Sequence, residues 1–416
     1  MGKAYAEENS WNSRLAQLFR GNLGVIVSSN MVNGFGTSII STFVISLYFK
    51  GIGGDLIWLG LMSSLSSLIQ FCILLLGGRL ADRYGRRRII VIAAFYAILF
   101  PALYYLIRDW RIFFLTSVLG AFGAVSSPAL HAIVADSVPP EERTTAISML
   151  QVFPAVPTIF SPFVGGWFIT RYGLPSGFKL ACAFVVGTTL VSALIMLLFL
   201  KETIRTENAQ KFTGSRRSLA SIRSALSPQS LHSLIALLSA YGLIAFANAL
   251  VSSYYVFYAT KVIGIDALSY GIILSLQILF IVLLKIPGGR ASDKYGKKKI
   301  MIISILTCTP FVVAFTFSRF FLEAAVTMIL LAIAGMYYAP AHEALQADLA
   351  PREIRGRITS FWDITGVVGG AIGAPLGGFF YQTISPATPF YLFAIVEVAA
   401  ALLILVGVKE PQIAEN

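Results

Sequence analysis

The sequence predicts an all-α membrane protein with twelve transmembrane helices in two pseudo-symmetric six-helix bundles. Hydrophobic residues make up 56% of the 416 residues and charged residues only 12%, and the mean hydropathy is +0.77. A soluble protein of this length would carry more polar surface. Long apolar runs recur along the chain, each close to the ~20 residues that span a bilayer core. Two long stretches of the sequence also repeat one another.

The apolar runs define twelve spans and a polar segment between the sixth and the seventh. We place the spans at approximately residues 22–48, 56–78, 89–107, 111–134, 144–170, 177–200, 231–259, 267–288, 300–318, 320–343, 358–382 and 388–408. We therefore expect an N-terminal bundle over 1–200, a linker over 201–230 and a C-terminal bundle over 231–416. The linker is rich in Ser, Arg and Lys and lacks a long apolar run, which predicts a cytoplasmic tether.

The formal charge of +12 is distributed unevenly between the two sides of the membrane. Most Lys and Arg residues lie in the N-terminal tail and in the loops on the same side, above all in 79–88, 201–223 and 290–299. This is the pattern of the positive-inside rule. We expect both termini in the cytoplasm, in a plasma membrane or a bacterial or archaeal inner membrane, and we expect no nucleic-acid partner.

Chemical motifs of enzymes and metalloproteins are missing from the sequence. Cys72, Cys182 and Cys308 all lie within apolar runs and lack the spacing of a metal site. No nucleotide-binding loop or nucleophile motif occurs, so an ion or solute gradient must supply the energy for any transport. We expect no cofactor, no metal and no enzymatic activity.

Internal repetition is the most informative feature of the sequence. Residues 78–88 read GRLADRYGRRR and residues 289–299 read GRASDKYGKKK; we call them the first and second signature loops. Likewise, residues 128–149 correspond to residues 340–361. Six spans per half give both copies the same orientation, which predicts halves related by an axis along the membrane normal, with the transport site between them. Glycines in the loops permit close helix approach and a tight reversal.

The repeated pattern G-x-x-x-D-R/K-x-G-R/K-R/K resembles the signature of the major facilitator superfamily, and the resemblance covers essentially the whole chain. It implies a transporter in which one half rocks against the other. It also implies that the signature loops and the stretches after spans 4 and 10 form a gate latch that holds while the cytoplasmic mouth is closed. The residues assigned to this latch are Gly78, Asp82, Arg83, Gly85, Arg86, Asp136, Arg143, Gly289, Asp293, Gly296, Asp348 and Arg355.

Polar side chains within spans are costly in lipid, so we expect them to face the interior and bind solute. Amide and aromatic groups suit hydrophobic or weakly polar solutes. An alternative for some of the rings, Tyr258 above all, is a place in the interfacial aromatic belt. The predicted solute-binding residues are Asn30, Asn33, Gln151, Asn248, Tyr254, Tyr255, Gln277, Tyr337, Tyr338, Trp362 and Asp363.

Two acids within spans are candidates for ion coupling. Asp363 in span 11 has Gln151 as its repeat mate, which favours a central position for both; an interfacial pair with Arg357 is the alternative. Glu397 lies near the middle of span 12 and is the deepest acid. Because the twelfth span of the family usually packs on the outside of its half, a protonated structural Glu397 is the alternative there.

Small residues in spans 5 and 11 predict close helix packing: Pro162, Gly165, Gly166, Pro375, Gly377 and Gly378. Residues 161–166, SPFVGG, partly resemble a G-P-x-x-G-G stretch of drug exporters in the family, whereas Thr116 stands where many proton-coupled exporters have an arginine. The leading hypothesis is a monomeric exporter of lipophilic or weakly charged small molecules, coupled to protons. The alternative is an importer of a metabolite such as a sugar.

Overall fold

The computed structural model describes residues 19, 21–41, 43–139, 142–203, 228–349 and 355–410. Within these residues, twelve helical segments are long and apolar enough to cross a membrane, as predicted. In order, spans 1 to 12 are Asn22–Gly51, Leu56–Tyr84, Arg86–Leu106, Trp110–Ser137, Ser148–Tyr172, Leu174–Phe199, Pro228–Ile263, Ala267–Lys285, Lys297–Thr316, Phe321–Leu349, Ile358–Thr383 and Thr388–Gly407. Most of the predicted linker over 201–230, residues 204–227, lies outside the described residues, and the helix of span 7 begins at Pro228.

The signature loops are shorter than predicted, because the helices of spans 2 and 8 continue past their apolar runs to Tyr84 and Tyr295. The next helices begin at Arg86 and Lys297, so a single residue makes each reversal. These residues, Gly85 and Gly296, have φ angles of +93° and +94°, where an L side chain would be strained. Hydropathy marks where charged residues begin, but Arg, Lys and Ala residues extend a helix well beyond that point.

Several spans are interrupted rather than continuous. Span 5 consists of Arg143–Thr158 and Ser161–Tyr172, and span 10 of Phe321–Gly335 and Tyr338–Leu349. In span 4, a 3₁₀ segment over Ala121–Ser126 joins two α-helices. Pro128 and Pro162 lie in the first turn of the helices that follow such interruptions, where a proline loses no backbone hydrogen bond. Interruptions within spans are tolerated where neighbouring helices satisfy the freed backbone groups.

Many exposed side chains on the spans are large and apolar, among them Leu106, Leu198 and Val406. In water such a surface would drive aggregation, whereas in a bilayer it lies against acyl chains. The chain is therefore a multi-pass membrane protein.

The described chain divides into two compact units. The first holds Met1–Ile45, Ile69–Arg108 and Leu115–Thr213. Its core contains Ile26, Ile133 and Met196, from spans 1, 4 and 6. Span 1 is joined to span 6 by the hydroxyls of Ser29 and Ser192, 2.6 Å apart.

The second unit holds Ser46–Leu68, Asp109–Phe114 and Gly214–Asn416. Spans 7, 9, 10, 11 and 12 form its core. Span 11 lies close against span 7 because its buried face is small: a Cβ at Gly369 would be 2.5 Å from the carbonyl oxygen of Gly242, and one at Gly373 2.3 Å from that of Phe246. The division into two six-span bundles stays a prediction.

Candidate functional site

A cavity of about 410 Å³ lies inside the second unit, a volume suited to a small molecule. Its walls come from spans 7, 8, 9, 10 and 12. The lining residues that the structure describes are mostly apolar and aromatic, and no Lys, Arg or His is among them. The lining residues are Ile244, Asn248, Tyr255, Gln277, Ile281, Ser304, Ile305, Cys308, Leu331, Ala332, Gly335, Met336, Tyr338, Phe393 and Glu397.

The neutral polar groups of the cavity are held by backbone carbonyls of neighbouring turns and helices. The amide nitrogen of Asn248 donates to the carbonyl oxygen of Ile244 at 2.9 Å, and that of Gln277 donates to Met328 at 2.6 Å. Ser304 Oγ donates to the carbonyl oxygen of Ala334 at 2.5 Å. These bonds fix the side chains and leave the carbonyl oxygen and the second N–H of each amide available to a solute.

Among the described cavity residues, Glu397 is the one acid. Its side chain is buried, with 4% exposure, and it has no hydrogen-bond or ion-pair partner among the described residues. An ionised carboxylate in such a place is costly without a nearby cation. Span 12 turns Glu397 toward the cavity, and both the coupling role and the structural alternative stay predictions.

The structure gathers five predicted residues around the cavity: Asn248, Tyr255, Gln277, Tyr338 and Glu397. Asp363, in contrast, is exposed and does not line the cavity. Trp362, its neighbour, is buried in the core of the unit. The side chains of Trp362 and Asp363 lie on different faces of the helix. Trp362 is in helical register with the glycines of the face that packs against span 7, which are Gly366, Gly369, Gly373 and Gly377.

Two predicted tyrosines of span 7 have packing contacts instead. The Tyr254 hydroxyl donates to the carbonyl oxygens of Ala374 at 2.5 Å and Leu56 at 3.3 Å. Tyr258 is buried and donates to the carbonyl oxygen of Thr316 at 2.7 Å, so its ring packs against protein. The belt pattern cannot distinguish a ring at a membrane surface from one packed at the end of a bundle.

The predicted residues of the first unit are not part of this cavity. Asn33 is half-buried and accepts a hydrogen bond from Thr189 at 3.2 Å, Asn30 is half-buried and Gln151 is exposed. Tyr337, in the second unit, is also half-buried and outside the cavity lining.

The latch residues form the same ion pair in each repeat. Arg86 pairs with Asp136, and at the equivalent positions Lys297 pairs with Asp348. Asp82 lies 4.0 Å from Arg86.

Arg143 Nε donates to the carbonyl oxygen of Ala135 at 3.0 Å. Arg83 is exposed, and Gly78 approaches the Cβ of Pro128. The side chains of Asp293 and Arg355, and the position of Gly289, lie outside what the structure describes in detail.

Two glutamates that sequence reasoning missed complete these networks. Glu202 Oε2 accepts from the backbone N–H of Arg87 at 3.0 Å, and Glu410 Oε1 accepts from that of Lys298 at 2.8 Å. The side chains of Arg87 and Lys298 donate in return to the carbonyl oxygens of Leu197 and Leu405, at 2.7 and 2.8 Å. A Lys-Glu dipeptide after span 6 and again after span 12 was the sequence signal for these caps.

The predicted packing glycines lie at close helix approaches. A Cβ at Gly165 would lie 2.5 Å from the carbonyl oxygen of Ile39, and one at Gly377 2.2 Å from that of Leu250. Pro162 and Gly166 are buried beside Gly165, and Pro375 lies within the helix of span 11. Gly378 has the same role against Leu56, at 2.5 Å.

Twelve apolar helices and an internal, largely apolar cavity define a membrane transporter. The chain belongs to the Major Facilitator Superfamily, whose family model matches residues 26–269 and 237–416. Members of this family are transporters, which confirms the predicted class and the expectation that the chain is not an enzyme.

Relatives of the chain include proteins named for multidrug resistance. Multidrug resistance protein MdtG of Dickeya zeae (strain Ech586) is 24% identical over 350 residues, which cover 82% of this chain and 83% of the relative. MdtG of Enterobacter lignolyticus (strain SCF1) is 25% identical over 337 residues, covering 80% and 79%. The resemblance to the drug exporter branch of the family is thereby confirmed.

Solved structures share the fold at lower identity. A D-xylose–proton symporter has a TM-score of 0.74 at 16% identity, with 93% of this chain and 97% of that chain covered. A bacterial homologue of the human lysosomal transporter Spinster has a TM-score of 0.72 at 16% identity, covering 92% and 94%. These likenesses establish the major facilitator fold.

Proposed function

We propose that the protein exports lipophilic or weakly charged small molecules by alternating access, in exchange for protons, and that the cavity of the second unit binds the solute. The observation that carries this proposal is the lining of the cavity. The rings of Tyr255, Tyr338 and Phe393 and several aliphatic side chains surround one buried acid. Such a surface binds apolar molecules by area and orients them with few polar contacts.

Import of a sugar fits the cavity less well. A sugar needs many donors and acceptors around its hydroxyl groups, because each unpaired hydroxyl buried on binding loses its hydrogen bonds to water. One N–H of Asn248 and one of Gln277 already donate to backbone carbonyls, and most of the lining is apolar. The names of the MdtG relatives agree with efflux of drugs.

In the proposed exchange, Glu397 is the residue that binds and releases the proton. A buried acid without a cationic partner changes charge state when a solute enters or when the cavity opens to water. The repeated pairs Arg86–Asp136 and Lys297–Asp348 are the proposed gate latches. The proposal includes a monomer in a plasma or bacterial inner membrane, with both termini in the cytoplasm, on the basis of the distribution of Lys and Arg.

The test is uptake of a lipophilic cationic dye into inverted membrane vesicles that are acidic inside. Vesicles with the protein should accumulate dye faster than empty vesicles. Glu397→Gln keeps the size of the side chain and removes its charge, so its gradient-dependent uptake should fall to background. Asp363→Asn, outside the cavity, is the matched control and should retain most of the uptake.

The outcomes separate the parts of the proposal. Absence of uptake above empty vesicles for several dyes contradicts export of lipophilic solutes and directs the search to sugars. Loss of uptake in Asp363→Asn with normal uptake in Glu397→Gln would place the coupling acid outside the cavity.

A further inference from the structure

The cavity wall on span 10 contains a glycine that the fold does not require. Gly335 is the last residue of the first helix of this span, Phe321–Gly335, and it lines the cavity. Its φ angle lies outside the left-handed region, so an L side chain would not strain the backbone there. The described atom of another helix that a Cβ at Gly335 would meet within 4 Å is Cys308 Sγ, at 3.4 Å. Neither backbone conformation nor close helix packing therefore explains the missing side chain.

Glycines that packing does require look different in this unit. A Cβ at Gly369 would lie 2.5 Å from the carbonyl oxygen of Gly242, and backbone atoms in such a contact cannot move aside without separating the helices. At Gly335 an added methyl group would meet the end of one side chain at about the van der Waals distance. The space beside Gly335 is therefore part of the cavity and not of a helix contact.

Cys308 lies opposite Gly335 and also lines the cavity. Its Sγ donates to the carbonyl oxygen of Leu331 at 3.9 Å, and Ser304, one turn earlier on span 9, donates to that of Ala334 at 2.5 Å. The last carbonyl groups of a helix have no partner within it, so span 9 supplies partners where the first helix of span 10 ends. Moving the two spans apart to admit a larger solute would break these bonds.

The volume of the cavity makes a single methyl group important. At about 410 Å³ it is near the lower end of the range of ligand pockets, roughly 300–1,000 Å³. In an apolar pocket that a solute fills, one methylene group more or less changes binding about 10- to 200-fold. A solute that fills the cavity needs the space beside Gly335, whereas a smaller solute does not.

We propose that Gly335 and Cys308 set the upper size limit of the solutes that the cavity binds. A larger side chain at either position excludes the bulkiest solutes first and leaves compact ones bound. The inference rests on the proposed function, in which this cavity binds lipophilic solutes, and it adds the residues that determine specificity by size.

The test compares two organic cations of the same charge and different size, benzyltrimethylammonium and the bulkier tetraphenylphosphonium. Their affinities for the purified full-length protein are measured by isothermal titration calorimetry. Gly335→Ala should lower the affinity for tetraphenylphosphonium about 10-fold or more and leave that for benzyltrimethylammonium within about twofold. Gly370→Ala on span 11 is the matched control and should change neither affinity. A Cβ at Gly370 would have no described atom within 4 Å, and this residue is not among those that line the cavity.

Two variants of Cys308 separate a loss of space from a disturbed helix. Cys308→Leu narrows the cavity from the opposite wall and should weaken the binding of tetraphenylphosphonium in the same way. Cys308→Ala, added to Gly335→Ala, removes the atom that the new methyl group meets and should restore this affinity to within about threefold. A disturbed helix would weaken the binding of both cations, and the second substitution would not restore it.

Equal losses for the two cations in Gly335→Ala, or no loss for either, would overturn the size limit. A double variant that binds tetraphenylphosphonium no better than Gly335→Ala would overturn it too, as would a wild type that binds neither cation. Binding in the expected ratios without gradient-driven uptake in vesicles would instead contradict the proposed export, and the size limit would stand.

Discussion

Glu202 and Glu410 stabilise equivalent helix starts in the two repeats. Each carboxylate accepts a hydrogen bond from a backbone N–H in the first turn of span 3 or span 9, at 3.0 and 2.8 Å. The first N–H groups of a helix have no partner within the helix, and the helix dipole favours an anion there. The glycines before these helices supply no capping side chain, so the glutamates take that role from a distance in sequence.

We predict that Glu410→Gln and Glu202→Gln each lower the midpoint of thermal unfolding by roughly 1 to 3 °C, because the amide keeps the size but loses the charge. Differential scanning fluorimetry of the purified protein measures this. Glu343→Gln, an exposed acid on span 10, is the control and should leave the midpoint unchanged. Equal midpoints for all three variants would show that the caps do not contribute to stability.

A cavity residue could be predicted from the sequence where a polar side chain stands within an apolar span. Asn248, Gln277 and Glu397 are polar groups within apolar spans, and the structure places all three at the cavity. The burial of His342 could not be predicted in the same way, because its imidazole stacks on Tyr241 and Tyr338, which lie far apart in sequence. The difference between Asp363 and Trp362 was present in the sequence, as the helical register of the glycines that follow Trp362.

Helix contacts in the second unit depend on small residues at single points. The first half of span 2 lies against span 11, where a Cβ at Gly60 would be 2.4 Å from the carbonyl oxygen of Ala374. Ser64 Oγ donates to the carbonyl oxygen of Ala371 at 2.8 Å, one turn further along. Because backbone atoms face each other here, no side-chain rotation can make room for an added methyl group.

We predict that Gly60→Ala destabilises this contact by about 1 to 3 kcal/mol. The expected result is a lower unfolding temperature and slower transport of the dye. Gly187→Ala on span 6 is the matched control: a Cβ there would have no atom within 4 Å, and alanine favours the helix. A Gly60→Ala protein with the stability and transport of Gly187→Ala would contradict the importance of this approach.

The positions of the membrane-spanning helices could be predicted from the sequence, but the interruptions within them could not. Hydropathy located all twelve, because the bilayer requires a minimum apolar length. It could not locate the interruptions in spans 4, 5 and 10, because an interrupted helix has the same average hydropathy as a continuous one. The extensions of spans 2 and 8 to Tyr84 and Tyr295 were missed for the opposite reason: charge ends an apolar run without ending a helix.

At the scale of the whole molecule, duplication explains why separate contacts recur. The pair Arg86–Asp136 has its counterpart in Lys297–Asp348, and the cap by Glu202 has its counterpart in Glu410. Hydrogen bonds between backbone N–H groups and side chains recur as well. Asn22 Oδ1 accepts from the N–H of Lys201, and Ser233 Oγ accepts from that of Lys409. The cavity with Glu397 belongs to the second unit.

The orientation of the whole chain follows from the same duplicated basic loops. Because Lys and Arg resist translocation across the membrane, we predict that the ends of the spans next to Gly85 and Gly296 face the cytoplasm. The test uses a variant in which Cys72, Cys182 and Cys308 are replaced by serine and one new cysteine is added. In spheroplasts, which keep an intact inner membrane, a membrane-impermeant maleimide should label Ser176→Cys, which lies at the opposite end of the spans. It should label Lys299→Cys only after the membrane is permeabilised, since both positions are exposed in the structure. The reverse pattern would place the basic loops outside and would remove the support that charge gives to cytoplasmic termini.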